Sequence, residues 1–360
     1  MLHEARSWLS YEAITSLVGT CAAERDRDGK FPLSAFDGLR RLRLIANPPL
    51  HASEAALLFR VLAAVGRGDL SVGRIFEGHV NALFLIQLFG TASQRETWQS
   101  LAARGHIFGV WNTDLPGDPI LMEGKRLRGK KTFASGADGL SHAIITASTT
   151  KGRLMIVIPV RDLPVDRSWW RPLGMRASGS HVVSFDGVAI DDDWVLGGLD
   201  DYIKEPWFTA GAIRFAAVHV GGMHAVLDAV VTHLRNVQRI NDPYQRHRLG
   251  KMGIDVEGGY AWLDHVATLW EQANKSSNLG IMATANAGRL AIEAAALSVL
   301  ESAERGVGAV GMIAPHPLER LIRDLRTYLR QPNPDAALSS VGAAITEGRW
   351  SPGHTPPQRK

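Results

Sequence analysis

The sequence predicts a mainly α protein with a central β domain, an α+β fold in the order helices, strands, helices. Three observations predict it. Apolar residues recur at helical spacing from residue 8 to about 105, and again from about 207 to 347. Between residues 106 and 195 the texture changes to short β-branched or aromatic runs separated by Gly, Pro and Asp. The chain has 360 residues, 45% hydrophobic and 21% charged, which suits two or three packed sub-domains of a globular protein. The expected division is an N-terminal helical domain over 1–105, a small antiparallel β-barrel over 106–197 and a C-terminal antiparallel four-helix bundle over 198–347. The tail, 348–360, has too little apolar content to fold alone and is expected to be disordered unless a neighbour pins it.

In the N-terminal region, Cys21 follows Ala13, Ile14, Leu17 and Val18 on one helical face, which predicts a small core residue. SEAALLFRVLAAVGRGD (53–69) repeats apolar residues three and four apart, with Ser53 and Glu54 suited to a helix start. GTASQRETWQSLAARG (90–105) reads as a helix capped by Thr91 or Ser93 and stopped by Gly105. The runs HIFGVWNT, KRLRGKKTFAS, SHAIITAST, GRLMIVIPV and SHVVSFDGVAI read as strands with no helix between them, hence the barrel. In the last third, Met223 to Val237, Trp262 to Trp270, Leu290 to Leu300 and Leu318 to Leu329 trace four apolar stripes on long helices. The helix ending in ERLIRDLRTYLR runs into Gln331-Pro332-Asn333-Pro334-Asp335, where two prolines stop it.

Several chemistries lack their residues. One cysteine and thirteen histidines without ligand spacing leave no expected metal site. No Gly-x-Ser-x-Gly elbow is present. A net charge of +4 without an aromatic-laced basic run predicts no nucleic acid. The N-terminus shows no signal-peptide run and no stretch reaches 18 uninterrupted apolar residues, so a cytoplasmic protein without a membrane span is expected. GVGAVG (306–311) has dinucleotide-loop spacing, but a helix precedes it where a strand is needed, which predicts a glycine loop between helices near a ligand. Arg320, Arg323, Arg326 and Arg330 form either a salt-bridged face or a dock for phosphates or a neighbouring subunit. Arg246 and Arg248, after Asp242-Pro243, are phosphate candidates presented by a loop near helix ends.

Three stretches together, FGTASQRETWQSLAARGHIFGVWNTDLPGD (89–118), GKRLRGKKTFASGADGLSHAIITA (124–147) and GMRASGSHVVSFDGVAIDDDWVLG (174–197), resemble the acyl-CoA dehydrogenase superfamily in motif order and spacing. HPLERLIRDLR (316–326) looks like that family's arginine–aspartate helix. The resemblance implies FAD held between the β domain and the C-terminal bundle, in a homodimer or homotetramer whose second subunit completes the adenine end. It places Thr113 at the flavin ring, Phe133 as the aromatic packed on that ring, and Ser135 as the hydroxyl near the flavin N5 region. It also implies cofactor contacts from Arg239, Arg305 and Gly308.

The chain departs from the family where dehydrogenation is performed. The family's catalytic glutamate falls at Pro332, and the alternative position on the first bundle helix falls at Ile213; neither is a carboxylate. Asp335 is the candidate catalytic carboxylate that remains. The thioester-holding Thr-Glu-Pro-x-x-Gly-Ser is shortened to Thr113-Asp-Leu-Pro-Gly-Asp118. Three functions follow as expectations: an FAD-dependent oxidoreductase passing hydride from an acyl-CoA or related small molecule to flavin; a flavin monooxygenase of the same fold; or a flavin-binding protein without oxidation chemistry. An electron-transfer or flavin-reductase partner would accompany the first two.

Overall fold

The computed structural model describes residues 10–273, 280–330 and 333–353. Six helices come first: α1 (Tyr11–Gly19), α2 (Ala22–Asp28), α3 (Leu33–Arg41), α4 (Ala55–Gly68), α5 (Leu70–Phe89) and α6 (Ala92–Ala103). The helix expected from 53 starts two residues later, after a short 3-10 turn at Ala52–Glu54. Thr91 caps α6 as expected: its side chain accepts from Gln94 N, and Gln94 returns a bond to the Thr91 backbone. Cys21 is not a core residue. It sits exposed at φ 61° in the junction between α1 and α2, because α1 ends before the apolar stripe reaches it.

The β region holds nine strands: β1 (Phe108–Trp111), β2 (Leu121–Glu123), β3 (Arg126–Arg128), β4 (Lys130–Ala134), β5 (His142–Thr149), β6 (Gly152–Pro159), β7 (Val165–Asp166), β8 (His181–Ser184) and β9 (Val195–Leu196). They form two open sheets in place of the expected closed antiparallel barrel. One has the order β3-β2-β5-β6-β9 with β1 beside β5; the other is β4-β8-β7. β1 and β2 both run parallel to β5, at Phe108–His142 and Leu121–Ser148. Short strands explain the lack of closure: β4 leaves the first sheet after Gly129 and pairs with β8 instead.

The bundle follows as α7 (Trp207–Gly211), α8 (Ile213–Asn236), α9 (Pro243–Ala273), α10 (Gly280–Val307), α11 (Pro317–Tyr328) and α12 (Pro334–Thr346). The segment Trp207–Asn236 is long and apolar enough to cross a membrane by composition. In the fold it is the central core helix, packed on α4, α9, α10 and α11. Val218, Val220, Met223 and Val226 are fully buried on it, each stabilising the core by roughly 1.5–3 kcal/mol. Gly221 lets α8 touch α4: a Cβ there would lie 2.0 Å from the Ala63 carbonyl oxygen. Residues 348–353 are ordered rather than loose, since Trp350 donates its indole N–H to Thr284 Oγ1 at 2.9 Å. The rest of the expected disordered tail, 354–360, lies outside the described residues, as do Gln331 and Pro332 of the proline corner.

Candidate active site at the junction of sheet and bundle

β4 carries one extra residue against β8 between the pairs Lys131–Val183 and Ala134–His181. This bulge puts Phe133 at φ 50°, a left-handed conformation that costs a side-chain-bearing residue roughly 1–2 kcal/mol. The reward of the bulge is orientation. Phe133 is turned out of the sheet and is 51% exposed, with its ring edge-on to Trp169 at 4.9 Å and to Trp170 at 6.1 Å.

The strand is pinned on either side of this residue. Lys131 Nζ is fully buried and donates to Asn112 O (2.9 Å), Asp114 Oδ1 (2.5 Å) and Thr146 Oγ1 (3.1 Å). Burial lowers the Lys131 ammonium to about 8, against the pull of Asp114. Thr132 N donates to Thr113 O, which sets the exposed Thr113 beside β4. Ser135 Oγ continues the chain of contacts to Ser180 Oγ and thence to Ser178 Oγ, each step 2.8 Å, while its carbonyl takes the Trp111 indole N–H. Thr113 is thus hydrogen-bonded to β4, on which Phe133 is exposed, whereas Ser135, just beyond the strand, is buried within its serine contacts. An exposed aromatic face with hydroxyls at its margin fits a flat heteroaromatic ring.

A second group of residues, absent from the sequence expectations, lies on the helical side, on α5 and α8. α5 lies against β1 through Gly78, whose Cβ would be 4.0 Å from Gly109 Cα. One turn on either side of it, Arg74 donates to Glu77 Oε2 at 2.6 Å, and Asn81 donates to Glu77 Oε1. Arg214 of α8 donates through Nε to Asn81 Oδ1 and lies over the rings of Phe84 (4.7 Å) and Trp270 (5.5 Å). Burial lowers Arg214 to about 10, with Glu77 opposing. Tyr202, with Glu77, Arg74, Arg153 and Arg214 all acting on it, is raised by burial to about 12. Tyr328, at the end of α11, is raised well above its ordinary value by its burial, with Arg74 beside its hydroxyl opposing. His219 stacks edge-on to Tyr328 at 4.5 Å, and burial lowers it to about 3. The sequence signal for this group was a buried helix that nevertheless carries Arg-x-x-Glu-x-x-x-Asn.

The remaining predicted cofactor residues lie elsewhere. Arg239 is 57% exposed and pairs with Asp242, whose Oδ1 caps α9. Arg246 is exposed in the first turn of α9, and with Arg248 is helical rather than in a loop, because that Asp242 cap starts the helix early. Arg305 pairs with Glu301, and Gly308 ends α10 at φ 75° with open space around it. Gln245 Nε2 donates to Gly306 O, which joins the start of α9 to the end of α10. His316 at the start of α11 touches His233 near the same end, about 18 Å of helix away from Tyr328. One chain thus keeps these four residues apart from Thr113, Phe133 and Ser135.

The α11 arginines form the salt-bridged face. Arg320 pairs with Asp324, Arg323 with Glu319 and Asp26, Arg326 with Glu304, and Arg330 with Glu293. Asp324 also accepts from Met175 N at 2.6 Å, and burial raises it to about 6. Asp335 is exposed in the first turn of α12, a helix packed on α10, and the structure does not bring it to Phe133 or Ser135. Ile213 is fully buried.

Comparison with known proteins bears on the fold. Residues 200–329 match the family described as acyl-CoA dehydrogenase, C-terminal domain. The chain is 24% identical to the dibenzothiophene monooxygenase of Mycolicibacterium goodii, over 93% of this chain and 92% of that protein. It is 26% identical to the L-evernosamine nitrososynthase of a Micromonospora strain, over 85% and 81%. The FMN-bound dibenzothiophene monooxygenase of Paenibacillus sp. A11-2 superposes with a TM-score of 0.83 at 18% identity, covering 95% of this chain and 97% of that one.

Proposed function

We propose that this chain, a member of the acyl-CoA dehydrogenase superfamily, is a flavin-dependent monooxygenase, using reduced flavin and oxygen rather than abstracting an α-proton. The observation that carries the reading is the fate of the carboxylates. Dehydrogenation needs a base beside the ring, yet Ile213 and Pro332 stand at the two family positions. The carboxylates described around the junction are each held by a cation or amide: Glu77 by Arg74 and Asn81, Asp114 by Lys131, and Asp138 by Arg167 and His181. The likeness to two monooxygenases over nearly the whole chain supports the same reading.

A bound reduced flavin would supply the electrons that activate dioxygen for transfer of one oxygen atom to a substrate. The residues of this chain do the rest. Phe133 offers an apolar wall, Trp169 and Trp170 fix its edge, and Ser135 sets a hydroxyl at the ring margin within a serine chain that holds its orientation. Tyr328 and Glu77, both buried, would lie on the helical side. The flavin is FAD by family resemblance and FMN by analogy with the structural neighbour; titrating each separates them. Reduced flavin would come from a separate reductase.

The test is paired. With a flavin reductase, NADH and air, the protein is expected to consume oxygen in a substrate-dependent way, and Phe133→Ala to weaken flavin binding about tenfold. Under anaerobic conditions, acyl-CoAs should leave the oxidised flavin spectrum unchanged. Bleaching by an acyl-CoA would overturn the reading in favour of α,β-dehydrogenation.

A further inference from the structure

Thr113 and Phe133, both exposed, stand on segments of different sheets. Phe133 is on β4 in the second sheet, whereas Thr113 follows β1, which lies beside β5 in the first. Backbone ties join the two segments where Thr132 N donates to Thr113 O at 2.9 Å and Leu115 N donates to Lys130 O at 2.9 Å. Asp114 and Lys131 are thereby paired as an isolated antiparallel bridge. A pairing this short is marginal by itself, so something else must hold the two segments in register.

One side chain spans the same gap. Lys131 of β4 is fully buried and carries its ammonium into the first sheet. Its N–H donors are spent on Asn112 O, Asp114 Oδ1 and Thr146 Oγ1. Asn112 and Asp114 flank Thr113 in the chain, and Thr146 is on β5. The acceptors are themselves held. Thr146 Oγ1 donates to Asn112 Oδ1 at 2.9 Å, and Arg153 of β6 donates to Asn112 Oδ1 at 3.2 Å and to Thr146 Oγ1 at 2.7 Å. Ile120 N donates to Asp114 Oδ1 at 3.3 Å. Stability does not account for a lysine here. Its burial disfavours its charge, and the neighbouring Arg153 adds to that. An apolar side chain of similar size, with Asp114 neutralised, would fill the space without this cost. What an apolar chain cannot do is grip Asn112 and Asp114 on both sides of Thr113.

We infer that Lys131 is a positioning residue for flavin binding: through Asn112 and Asp114 it fixes Thr113 against β4, and so sets the placement of Thr113 relative to Phe133. The inference rests on the flavin part of the reading above and not on the use of oxygen. Lys131 touches no ligand itself, being fully buried beneath the exposed pair. Its effect is carried by Thr113, which gives the inference a signature that a purely structural lysine would lack.

Isothermal titration of the flavin-free protein with FMN and with FAD tests this. Lys131→Met alone strands the Asp114 carboxylate and can fail to fold, so the informative variant pairs Lys131→Met with Asp114→Asn, which keeps an acceptor for Ile120 N. The paired variant is expected to raise the flavin Kd at least tenfold while its urea midpoint without flavin stays level or rises. The absorption bands of its bound oxidised flavin should also lose resolution toward those of free flavin. In a Thr113→Ala background the same pair of changes should raise Kd less than threefold, because the residue through which Lys131 acts has been truncated. An unchanged Kd, an equal rise in both backgrounds, or a rise matched by a falling urea midpoint overturns the inference. A wild-type chain that binds neither flavin overturns it together with the flavin reading. Binding that couples as expected, without oxygen consumption when the flavin is reduced, overturns the monooxygenase reading alone.

Discussion

Asp324 is a carboxylate that the fold holds in an apolar setting while still using it. It accepts from Met175 N and pairs with Arg320, yet burial dominates and raises it to about 6. A raised carboxyl is favoured in its protonated form by folding. Its contribution is complete below the unfolded value of 3.8 and is lost as pH rises through 6. Asp324→Asn keeps an acceptor for Met175 and no longer titrates. Relative to the wild-type chain, that variant should gain on the order of 2–3 kcal/mol between pH 4 and pH 7.5, read from urea midpoints at each pH. A constant difference across that range would mean that Arg320 compensates the charge fully. Phe133 shows the other face of residue-scale design: its strained backbone persists because Lys131, buried and triply bonded, holds the preceding residue in place.

Between elements, α4 and α8 come into close contact at a glycine. A Cβ at Gly221 would stand 2.0 Å from Ala63 O and 2.6 Å from Arg67 N, both backbone atoms of α4. Backbone cannot rotate away as a side chain can, so the helices would have to separate along the core of the molecule. Gly221→Ala should destabilise by about 3 kcal/mol or more, despite its better helix propensity, as a drop in denaturation midpoint with little change in slope. A neutral result would mean that α8 slides without loss of packing. A Cβ at Gly174 would likewise lie 2.2 Å from the Arg323 carbonyl, so the glycine lets the loop before β8 dock on α11. These contacts place Tyr328 against the α5 polar group.

For the molecule as a whole, acid sensitivity follows from buried neutral histidines. His79 donates through Nε2 to Ile45 O and accepts from Phe108 N at Nδ1, a pairing that a second proton would break. Burial lowers His79 to about 4 and His219 to about 3. A depressed histidine contributes stability above its unfolded value of 6.5 and loses it as pH falls toward the folded value. Two such residues, each worth about 3 kcal/mol, outweigh the opposite slope of Asp324. Thermal midpoints should therefore fall steeply between pH 6.5 and pH 4, and His79→Gln should flatten that fall. A midpoint independent of pH in this window would contradict the assignment of both rings as neutral.

The sequence by itself determined the order of helices, strands and helices, and it named Phe133 and Ser135 as candidates of one contiguous motif. Apolar periodicity is local, and the motif survives in a contiguous run. That Pro332 and Ile213 are not carboxylates was also legible, since they are identities and not conformations. Sheet closure was not legible: whether β4 stays with its neighbours or joins β8 depends on pairings tens of residues apart. Nor was the charge of the site. Arg74, Glu77, Asn81, Arg214 and Tyr328 read in the chain as ordinary polar residues, and α5 gave no separate stripe because it is buried on nearly every side. Asn81 meets Arg214 across 133 residues. Only packing shows which charges lose their water, because desolvation is set by neighbours far apart in the chain.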